Sequence, residues 1–242
     1  MRDDDDELPA GGEGCPFFPK RGRRAVVLCD GPPPSESVLA YWLSGADLFV
    51  CADAAGHPYD HLPRLPDVVI GDFDSLSGRV LAGRGGPRFL QVDDPYTTDS
   101  EKALLYVCDD GCQEAVLLGA TGWRLDHTLV NVQLLERFGD RLRMCLAGHL
   151  ADGVRVGAGA RESWALPAGT RFSLLPLGGE ARGVTIEGAS FPLLGDTISV
   201  AGPSAISNVV TMSPLLLSVG SGSLLALVER EPEPPRSRRG LE

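Results

Sequence analysis

Between Ala25 and Leu146 the chain consists of short runs of consecutive apolar residues, separated by stretches of helical periodicity. This pattern restricts the possible folds more than any other feature of the sequence. Because these runs are continuously apolar and do not alternate with polar residues, each is typical of a strand covered on both faces. The predicted strands are Ala25–Cys29, Leu48–Ala52, Val68–Ile70, Phe89–Val92, Ala115–Leu118 and Leu142–Leu146. The predicted helices are at about Ser35–Leu43, Ser75–Ala82, Asp99–Asp110 and His127–Phe138. This alternation predicts an α/β fold with a mostly parallel, doubly wound sheet.

Two of the predicted helices have marked beginnings. Thr98-Asp99-Ser100-Glu101 fits a capping box, in which Thr98 caps the N–H group three residues on and Glu101 reaches back. Asp126 is the predicted cap of the helix that follows it, and Gly139 is a plausible stop.

The character of the sequence changes after about Gly148. A Gly/Ala-rich passage, Gly153–Ala160, leads into short β-like runs that Gly, Pro and Ser separate, with no long helical pattern between them. These runs are Arg171–Leu175, Val184–Glu187, Thr197–Val200, Leu215–Val219 and Leu224–Val228. They predict a second, smaller antiparallel sandwich or barrel. The predicted organisation is a disordered acidic head (1–23), an α/β catalytic domain (24–148), a β domain (149–230) and a disordered tail (231–242).

The charge balance excludes some partners. The chain of 242 residues has a formal net charge of −11, of which Asp3–Glu7 supply five charges. An acidic body repels the nucleic-acid backbone, which argues against a nucleic-acid partner. It also repels any small polyphosphate ligand, and a divalent cation would offset that repulsion.

Six cysteines are present and none forms a C-x-x-C pair. Cys29, Cys51 and Cys145 lie in apolar runs, as expected for buried reduced thiols. Cys108 and Cys112 are four residues apart but have no nearby histidine, which argues against zinc. The head has no apolar signal-like segment, and no run reaches the roughly 18 apolar residues that a membrane helix needs. We therefore expect a cytoplasmic protein with no membrane contact.

The most informative segment is Val68–Ser75, an apolar strand that runs into Gly71-Asp72-Phe73-Asp74. Open α/β sheets bind their ligands at this end of their strands. In an extended chain Asp72 and Asp74 point the same way and can share a metal, and Gly71 leaves room for a phosphate. The alternative is a solvated turn in which Asp74 caps the next helix.

Further aspartates follow other predicted strands or begin helices. Asp53 ends the second strand and Asp99 opens a helix, although alone each fits a turn or cap. Asp126 follows a Gly-containing loop, Gly119–Arg124, whose strand–loop–helix geometry suits phosphate binding. Arg124 is a candidate phosphate donor, whereas His127 is as well explained as a structural hydrogen-bonding residue.

Together these residues predict a phosphate site that depends on metal. Carboxylates that converge at one sheet edge repel one another unless a cation binds them, and Mg²⁺ prefers oxygen ligands. The sequence contains no Walker-type G-x-x-x-x-G-K-[ST] motif and no protein-kinase motif set.

From Ala25 to Arg230, the sequence resembles thiamine pyrophosphokinases. The resemblance rests on an ordered series of motifs: Ala52-Asp53 with Tyr59-Asp60, Gly71–Ser75, Thr98-Asp99, Gly122–His127, Asn131, Phe172–Pro176, Val184–Gly188, Phe191–Leu193 and Ile206-Ser207-Asn208.

The resemblance implies transfer of the β,γ-pyrophosphoryl group of ATP to thiamine, in a homodimer that holds thiamine between subunits. By position, Asp72, Asp74 and Asp99 would bind Mg²⁺ and the transferred phosphates. Asp53 and Asp126 would complete the acidic cluster, one of them helping to deprotonate the thiamine hydroxyl. The implied site also includes Gly71, Thr98, Gly122, Arg124, His127, Ser207 and Asn208, the last two near thiamine. Because thiamine is a cation, acidic surroundings favour its binding.

The sequence departs from the family pattern at three places. Ala54-Ala55-Gly56-His57 follows the first aspartate, Trp123 replaces a second glycine, and Val209 follows the Ser-Asn pair. Trp123 would either crowd the nucleotide or stack on a ring. Two alternatives remain: a related pyrophosphokinase acting on a pterin or another alcohol, and a non-catalytic sensor of thiamine or nucleotide.

Overall fold

The structure, a computed structural model, describes residues 15, 17–53, 55, 57, 59, 62–73, 86–202 and 205–230. Asp74, the predicted helix at Ser75–Ala82, residues 1–14 of the head and the tail from 231 lie outside these residues. The helices are α1 (Glu36–Ser44), α2 (Asp99–Asp109) and α3 (Leu125–Arg137). The strands are β1 (Arg24–Leu28), β2 (Leu48–Ala52), β3 (Val68–Gly71), β4 (Arg88–Gln91), β5 (Glu114–Leu118), β6 (Arg143–Ala147), β7 (Ala151–Val156), β8 (Arg161–Trp164), β9 (Arg171–Pro176), β10 (Ala181–Glu187), β11 (Leu193–Ile198), β12 (Ala205–Val209), β13 (Leu215–Ser218) and β14 (Leu224–Glu229).

Ten strands form one sheet, in the order β12-β9-β14-β7-β6-β5-β1-β2-β3-β4. The six strands from β6 to β4 pair in parallel, and β7, β14, β9 and β12 continue the same sheet with antiparallel pairing. A separate antiparallel sheet has the order β11-β10-β13-β8. The predicted α/β fold with an additional antiparallel sheet is therefore confirmed.

The two faces of the long sheet bury separate cores. One core contains Trp42 of α1 together with Phe172 of β9 and Ile186 of the smaller sheet. The other contains Leu104 of α2 and Leu134 of α3. Strands β1, β2, β3 and β5 are buried at every position, as the continuous apolar runs predict. Helices thus cover both faces of the parallel half, and the smaller sheet covers one face of the antiparallel half.

The second half of the chain differs from its prediction in detail. The sequence does not predict strands β7, β8 and β12, and β7 occupies part of the Gly/Ala-rich passage that leads into the predicted β-like runs. Strand β11 begins at Leu193, four residues before the predicted Thr197. Because β6 pairs with β7 at Cys145 and Val154, the sheet crosses the predicted boundary between 148 and 149 without a break. The division into two domains remains a prediction.

The predicted helix caps are partly wrong. Thr98 does cap α2, since its hydroxyl accepts a hydrogen bond from the Glu101 N–H at 3.3 Å. The Glu101 carboxylate, however, accepts hydrogen bonds from Arg137 of α3. Helix α3 begins one residue before Asp126, and its N-cap is Arg124, which makes no side-chain cap bond. Asp126 therefore lies inside the first turn, where its carboxylate accepts the His127 N–H at 3.0 Å.

Candidate active site

The parallel strands reverse their order between β1 and β5. From β1 the chain runs outward through β2, β3 and β4, then returns to place β5 and β6 on the other side of β1. Ligands of open α/β folds bind outside the carboxyl ends of the strands at such a switch point. A cleft of about 320 Å³ lies there. Its lining is Cys29, Asp30, Gly31, Ala52, Asp53, Thr98, Asp99, Ser100, Gly119, Ala120, Thr121, Gly122, Trp123, Arg124, His127, Thr128 and Asn131.

The loops after β1 and β5 approach each other closely at the base of this cleft. The Cys29 N–H donates to the Leu118 carbonyl at 2.8 Å. A Cβ on Gly119 would lie 2.6 Å from the Cys29 carbonyl oxygen, and Gly119 has a φ of +62°. A Cβ on Gly31 would lie 2.1 Å from the Gly119 carbonyl oxygen. Both positions therefore require glycine, and the two loops form one continuous wall.

Three carboxylates line the cleft and influence one another. Burial raises the pKa of Asp30, and the negative charges of Asp53 and, more weakly, Asp99 raise it further. His127 acts in the opposite direction and lowers this pKa. Asp53 has a φ of +47°, and its N–H donates to the Ile70 carbonyl at 2.7 Å. A Cβ on Gly71 would lie 2.8 Å from the Asp53 side chain, so the predicted Gly71 gives room to this aspartate. The convergence of Asp53 and Asp99 was predicted from the sequence, whereas Asp30 was missed.

A buried cation accompanies the carboxylates. Lys102 Nζ lies 2.9 Å from Asp99 Oδ1, and the lysine side chain is only 4% exposed. Burial acts to lower the pKa of Lys102, but Asp99, and more weakly Asp72 and Asp94, raise it on balance. The effect of Asp72 places that carboxylate within electrostatic reach of the cleft. Lys102 was also missed, although its position three residues after Asp99 on a helix puts both side chains on one face.

The segment after β3 is not extended, contrary to the expectation from its sequence. Phe73 has a φ of +62°, an uncommon conformation for a bulky residue, and its ring packs on Phe89 at a centroid distance of 5.8 Å. Asp72 and Asp74 would point the same way only in an extended chain, and the chain is not extended at Phe73. Because Asp74 lies outside the described residues, a metal shared by the two carboxylates stays a prediction.

The loop after β5 is tied to α3 by side chains. Asn131 Nδ2 donates to the Ala120 carbonyl at 2.7 Å from a buried position. The Thr128 hydroxyl accepts the Gly122 N–H at 3.1 Å and donates its single proton to the carbonyl of either Gly122 or Arg124 in the same loop. These bonds fix the loop against the helix start, where backbone N–H groups and the helix dipole favour an anion.

Asp126 lies outside the cleft lining. Its side chain is 65% exposed and is paired with Arg124, whose Nη2 lies 2.7 Å from Asp126 Oδ2. The hydrogen bond from Arg124, followed by that from the His127 N–H, lowers the pKa of Asp126 to about 2. Arg124 and His127 do line the cleft, as do the predicted Thr98 and Gly122.

Ser207 and Asn208 lie at the far edge of the long sheet. Strand β12 is five strands from β5, which corresponds to roughly 24 Å at ordinary strand spacing. Asn208 is buried and holds the backbone of Phe191 through two hydrogen bonds, at 2.8 and 3.0 Å. Ser207 is exposed, and its φ is +55°. Within one chain these two residues do not line the cleft.

No group of three or more His, Cys, Asp or Glu side chains in the described part of the chain is arranged to hold a metal ion. The donor chemistry nevertheless suits magnesium, because the carboxylates of Asp30, Asp53 and Asp99 line one cleft. Asp53 and Asp99 are also close enough to Asp30 to raise its pKa. Across the described residues, no helix is both long enough and apolar enough to cross a membrane.

A family model described as "Thiamin pyrophosphokinase, catalytic domain" matches residues 39–146, which run from α1 to β6 and hold most of the cleft. The chain is 27% identical over 212 residues to thiamine pyrophosphokinase 1 of Oryza sativa, covering 77% of this chain and 80% of that protein. It is 28% identical over 217 residues to thiamine pyrophosphokinase 1 of Arabidopsis thaliana, covering 78% and 79%.

Solved structures share the fold. The thiamine pyrophosphokinase of Bacillus subtilis superposes with a TM-score of 0.76 at 20% identity, covering 86% of this chain and 99% of that one. Yeast thiamin pyrophosphokinase gives a TM-score of 0.72 at 16% identity, covering 89% of each chain. The coverage extends beyond residues 39–146, so the likeness includes the antiparallel half of the long sheet and the smaller sheet.

Proposed function

Because the chain belongs to the thiamine pyrophosphokinase family, we propose that it transfers the β,γ-pyrophosphoryl group of ATP to the hydroxyl of thiamine, giving thiamine diphosphate and AMP. The observation that carries this proposal is the cleft at the switch point, where Asp30, Asp53 and Asp99 face a glycine-containing loop at the start of α3. The acidic residues suit a metal–triphosphate complex, and the loop supplies backbone donors for phosphate oxygens.

We propose that Asp72, Asp74 and Asp99 bind magnesium. A bound magnesium ion would neutralise charge on the transferred phosphates and align them for attack. Lys102 fixes the Asp99 carboxylate through its 2.9 Å contact and balances part of the acidic charge. Arg124 can donate to a phosphate oxygen from the rim of the cleft, where it is paired with Asp126.

Of the two carboxylates that the family resemblance suggests as general base, Asp53 fits the role better than Asp126. Asp53 lines the cleft, whereas Asp126 lies outside it and has a pKa lowered to about 2 by Arg124. A carboxylate with so low a pKa is a weak proton acceptor.

An assay of thiamine diphosphate formation from thiamine, ATP and Mg²⁺ tests the activity directly. Asp72→Asn is expected to lower kcat at least about 100-fold, since it removes charge that holds the metal and phosphates. Asp109→Asn is the matched control, because Asp109 is 81% exposed at the far end of α2. A folded Asp72→Asn protein with near-normal turnover would remove Asp72 from the site.

The same assay separates the alternatives. A hydroxymethyl-pterin that releases AMP from ATP in place of thiamine would indicate a different acceptor. Tight thiamine binding without product formation would indicate a sensor.

We further propose that the protein acts as a homodimer in which a second copy completes each thiamine site. Two observations support this: the distance of β12 from the cleft and a set of exposed apolar side chains in the second half of the chain. That set is Phe191, Leu194, Val200, Ile206 and Met212. Together they provide apolar surface of the kind that interfaces bury.

Subunit mixing tests the shared site. The Asp99→Asn and Ser207→Trp variants are each expected to be inactive. When the two are co-expressed, half of the dimers are mixed if the subunits pair at random, and each mixed dimer has one intact site of two. Co-expression is therefore expected to restore about a quarter of wild-type activity. A monomer in analytical ultracentrifugation at assay concentration would contradict the proposal, as would mixed dimers with no activity.

We also propose a cytoplasmic location, which all six cysteines support because they are free. Reduced thiols are typical of a reducing compartment. Fractionation of cells that express the tagged protein would test it, and a membrane-enclosed oxidising compartment would contradict it.

A further inference from the structure

Trp123 differs from the other two tryptophans of the chain in its exposure. Trp42 and Trp164 are 1% and 3% exposed, whereas Trp123 is 76% exposed at the rim of the cleft. Two leucines that follow it, Leu125 and Leu129, are 73% and 53% exposed and lie one turn apart on α3. A large aromatic side chain left open beside further apolar groups typically marks a binding surface.

The backbone beneath Trp123 is held in place although the ring is open. Gly122 has a φ of +110° and is bonded through its N–H to the Thr128 hydroxyl at 3.1 Å. A Cβ on Gly122 would lie 2.7 Å from the ring of Pro32, so the loop packs against the segment after β1. Because the backbone is already ordered, binding a flat ligand to Trp123 costs only the freedom of two side-chain torsions.

We propose that Trp123 is the stacking platform for the purine base of the nucleotide, with Leu125 and Leu129 as an apolar margin beside it; this inference rests on the proposed function. The polar end of the cleft, with its aspartates and the loop after β5, receives the triphosphate. Its opening at Trp123 is where the other end of the nucleotide emerges. Because Trp123 directly follows Gly122 in the loop proposed to bind the phosphates, the base joined to those phosphates is the aromatic group that the platform receives.

The proposal predicts how much affinity Trp123 supplies. Stacking of a base on an aromatic side chain is worth about 1–3 kcal/mol, or roughly 5- to 150-fold in affinity. Trp123→Ala is therefore expected to weaken ATP binding about 10-fold or more. Trp123→Phe keeps a stacking ring and is expected to stay within about 3-fold of wild type, whereas Trp123→Leu, which is apolar but not aromatic, is expected to resemble the alanine variant.

Inorganic tripolyphosphate provides the decisive comparison because it has the phosphates but no base. Its binding, measured by calorimetry in the presence of Mg²⁺, is expected to be equal in the wild-type and Trp123→Ala proteins, while ATP binding differs. Equal weakening of both ligands would show that the substitution only disturbs the phosphate loop, and that result would overturn the proposal. Unchanged ATP binding in Trp123→Ala would overturn it as well.

Tryptophan fluorescence gives an independent readout that does not need turnover. ATP is expected to quench the emission of the wild-type protein, since the exposed indole stacks on the base. The quenching is expected to disappear in Trp123→Phe even though calorimetry still shows ATP binding. Quenching by thiamine in the absence of nucleotide, with none by ATP, would assign the platform to the acceptor and refute the proposal. Failure of the thiamine diphosphate assay alone would contradict the proposed function but leave these binding results intact.

Discussion

Replacement of Gly119 by alanine tests whether the close approach of two loops forms the cleft. Gly119 has a φ of +62°, and a Cβ there would lie 2.6 Å from the Cys29 carbonyl oxygen. The left-handed conformation costs alanine about 1–2 kcal/mol, and relief of the overlap with a backbone atom adds about 1–3 kcal/mol. We therefore expect Gly119→Ala to lower the free energy of unfolding by about 2–5 kcal/mol and to reduce kcat, because the wall of the cleft must move.

Gly111→Ala is the matched control for this prediction. Gly111 also has a positive φ, +79°, but a Cβ there would meet nothing within 4 Å, and it lies in the turn before β5, at the other end of that strand. It is expected to cost only the conformational part, about 1–2 kcal/mol, and to leave kcat unchanged. Urea unfolding gives both free energies, and the thiamine diphosphate assay gives both rates. Equal destabilisation and equal turnover in the two variants would show that the overlap at Gly119 has no consequence, and the reasoning would be refuted.

Two further predictions concern buried charges away from the cleft. Glu114→Gln is expected to lower the free energy of unfolding by about 3–5 kcal/mol, because Glu114 is 1% exposed and forms a 2.8 Å ion pair with buried Arg24. Urea unfolding measures this loss, and a value under about 1 kcal/mol would contradict the prediction. Burial, which outweighs the opposing effect of Arg230, raises the pKa of Asp152 from 3.8 to about 6. The folded state therefore favours the protonated acid, which stabilises it. This contribution to the free energy of unfolding is complete below pH 4 and is lost as the pH rises to about 6, a loss of about 3 kcal/mol. Asp152→Asn should lack this loss, and parallel pH dependences of unfolding free energy for the two proteins would disprove the assignment.

The first half of the fold could be predicted because four of its six strands contain continuous apolar runs and are buried at every position. Strand β2 has the predicted bounds, and most other parallel strands differ from theirs by one residue at each end. Strand β7, with the sequence ADGVRV, carries Asp and Gly in a row that reads as a connection. Its Asp152 is buried because Arg230 pairs with it at 2.7 Å, a partner 78 residues away that no local pattern reveals. Strands that depend on such distant partners were therefore missed.

The candidate site was predictable where it follows from strand direction. Asp53 and Asp99 line the cleft because the carboxyl ends of parallel strands and the helices that follow them meet at one edge. The same rule applied to the first strand would have found Asp30, which directly follows the predicted strand Ala25–Cys29. Lys102 could not be singled out by charge, since a lysine on a helix is ordinarily solvated, and only the packing of α2 leaves its side chain 4% exposed.

Backbone strain coincides with three of the motifs from which a function was predicted. Among the described residues, the non-glycine positions with positive φ are Asp53, Phe73 and Ser207, and each falls within a motif that the sequence comparison with the family had selected. Such conformations cost about 1–3 kcal/mol each and persist where the surroundings fix them. The Asp53 N–H is bonded to β3 at 2.7 Å, and the Ser207 N–H to the hydroxyl of Ser173 at 3.0 Å. Because these bonds join separate strands, the strain follows from the assembled sheets and is absent from any short peptide. The sequence can therefore identify the motif, but only the fold shows that its backbone is held in an unfavourable conformation.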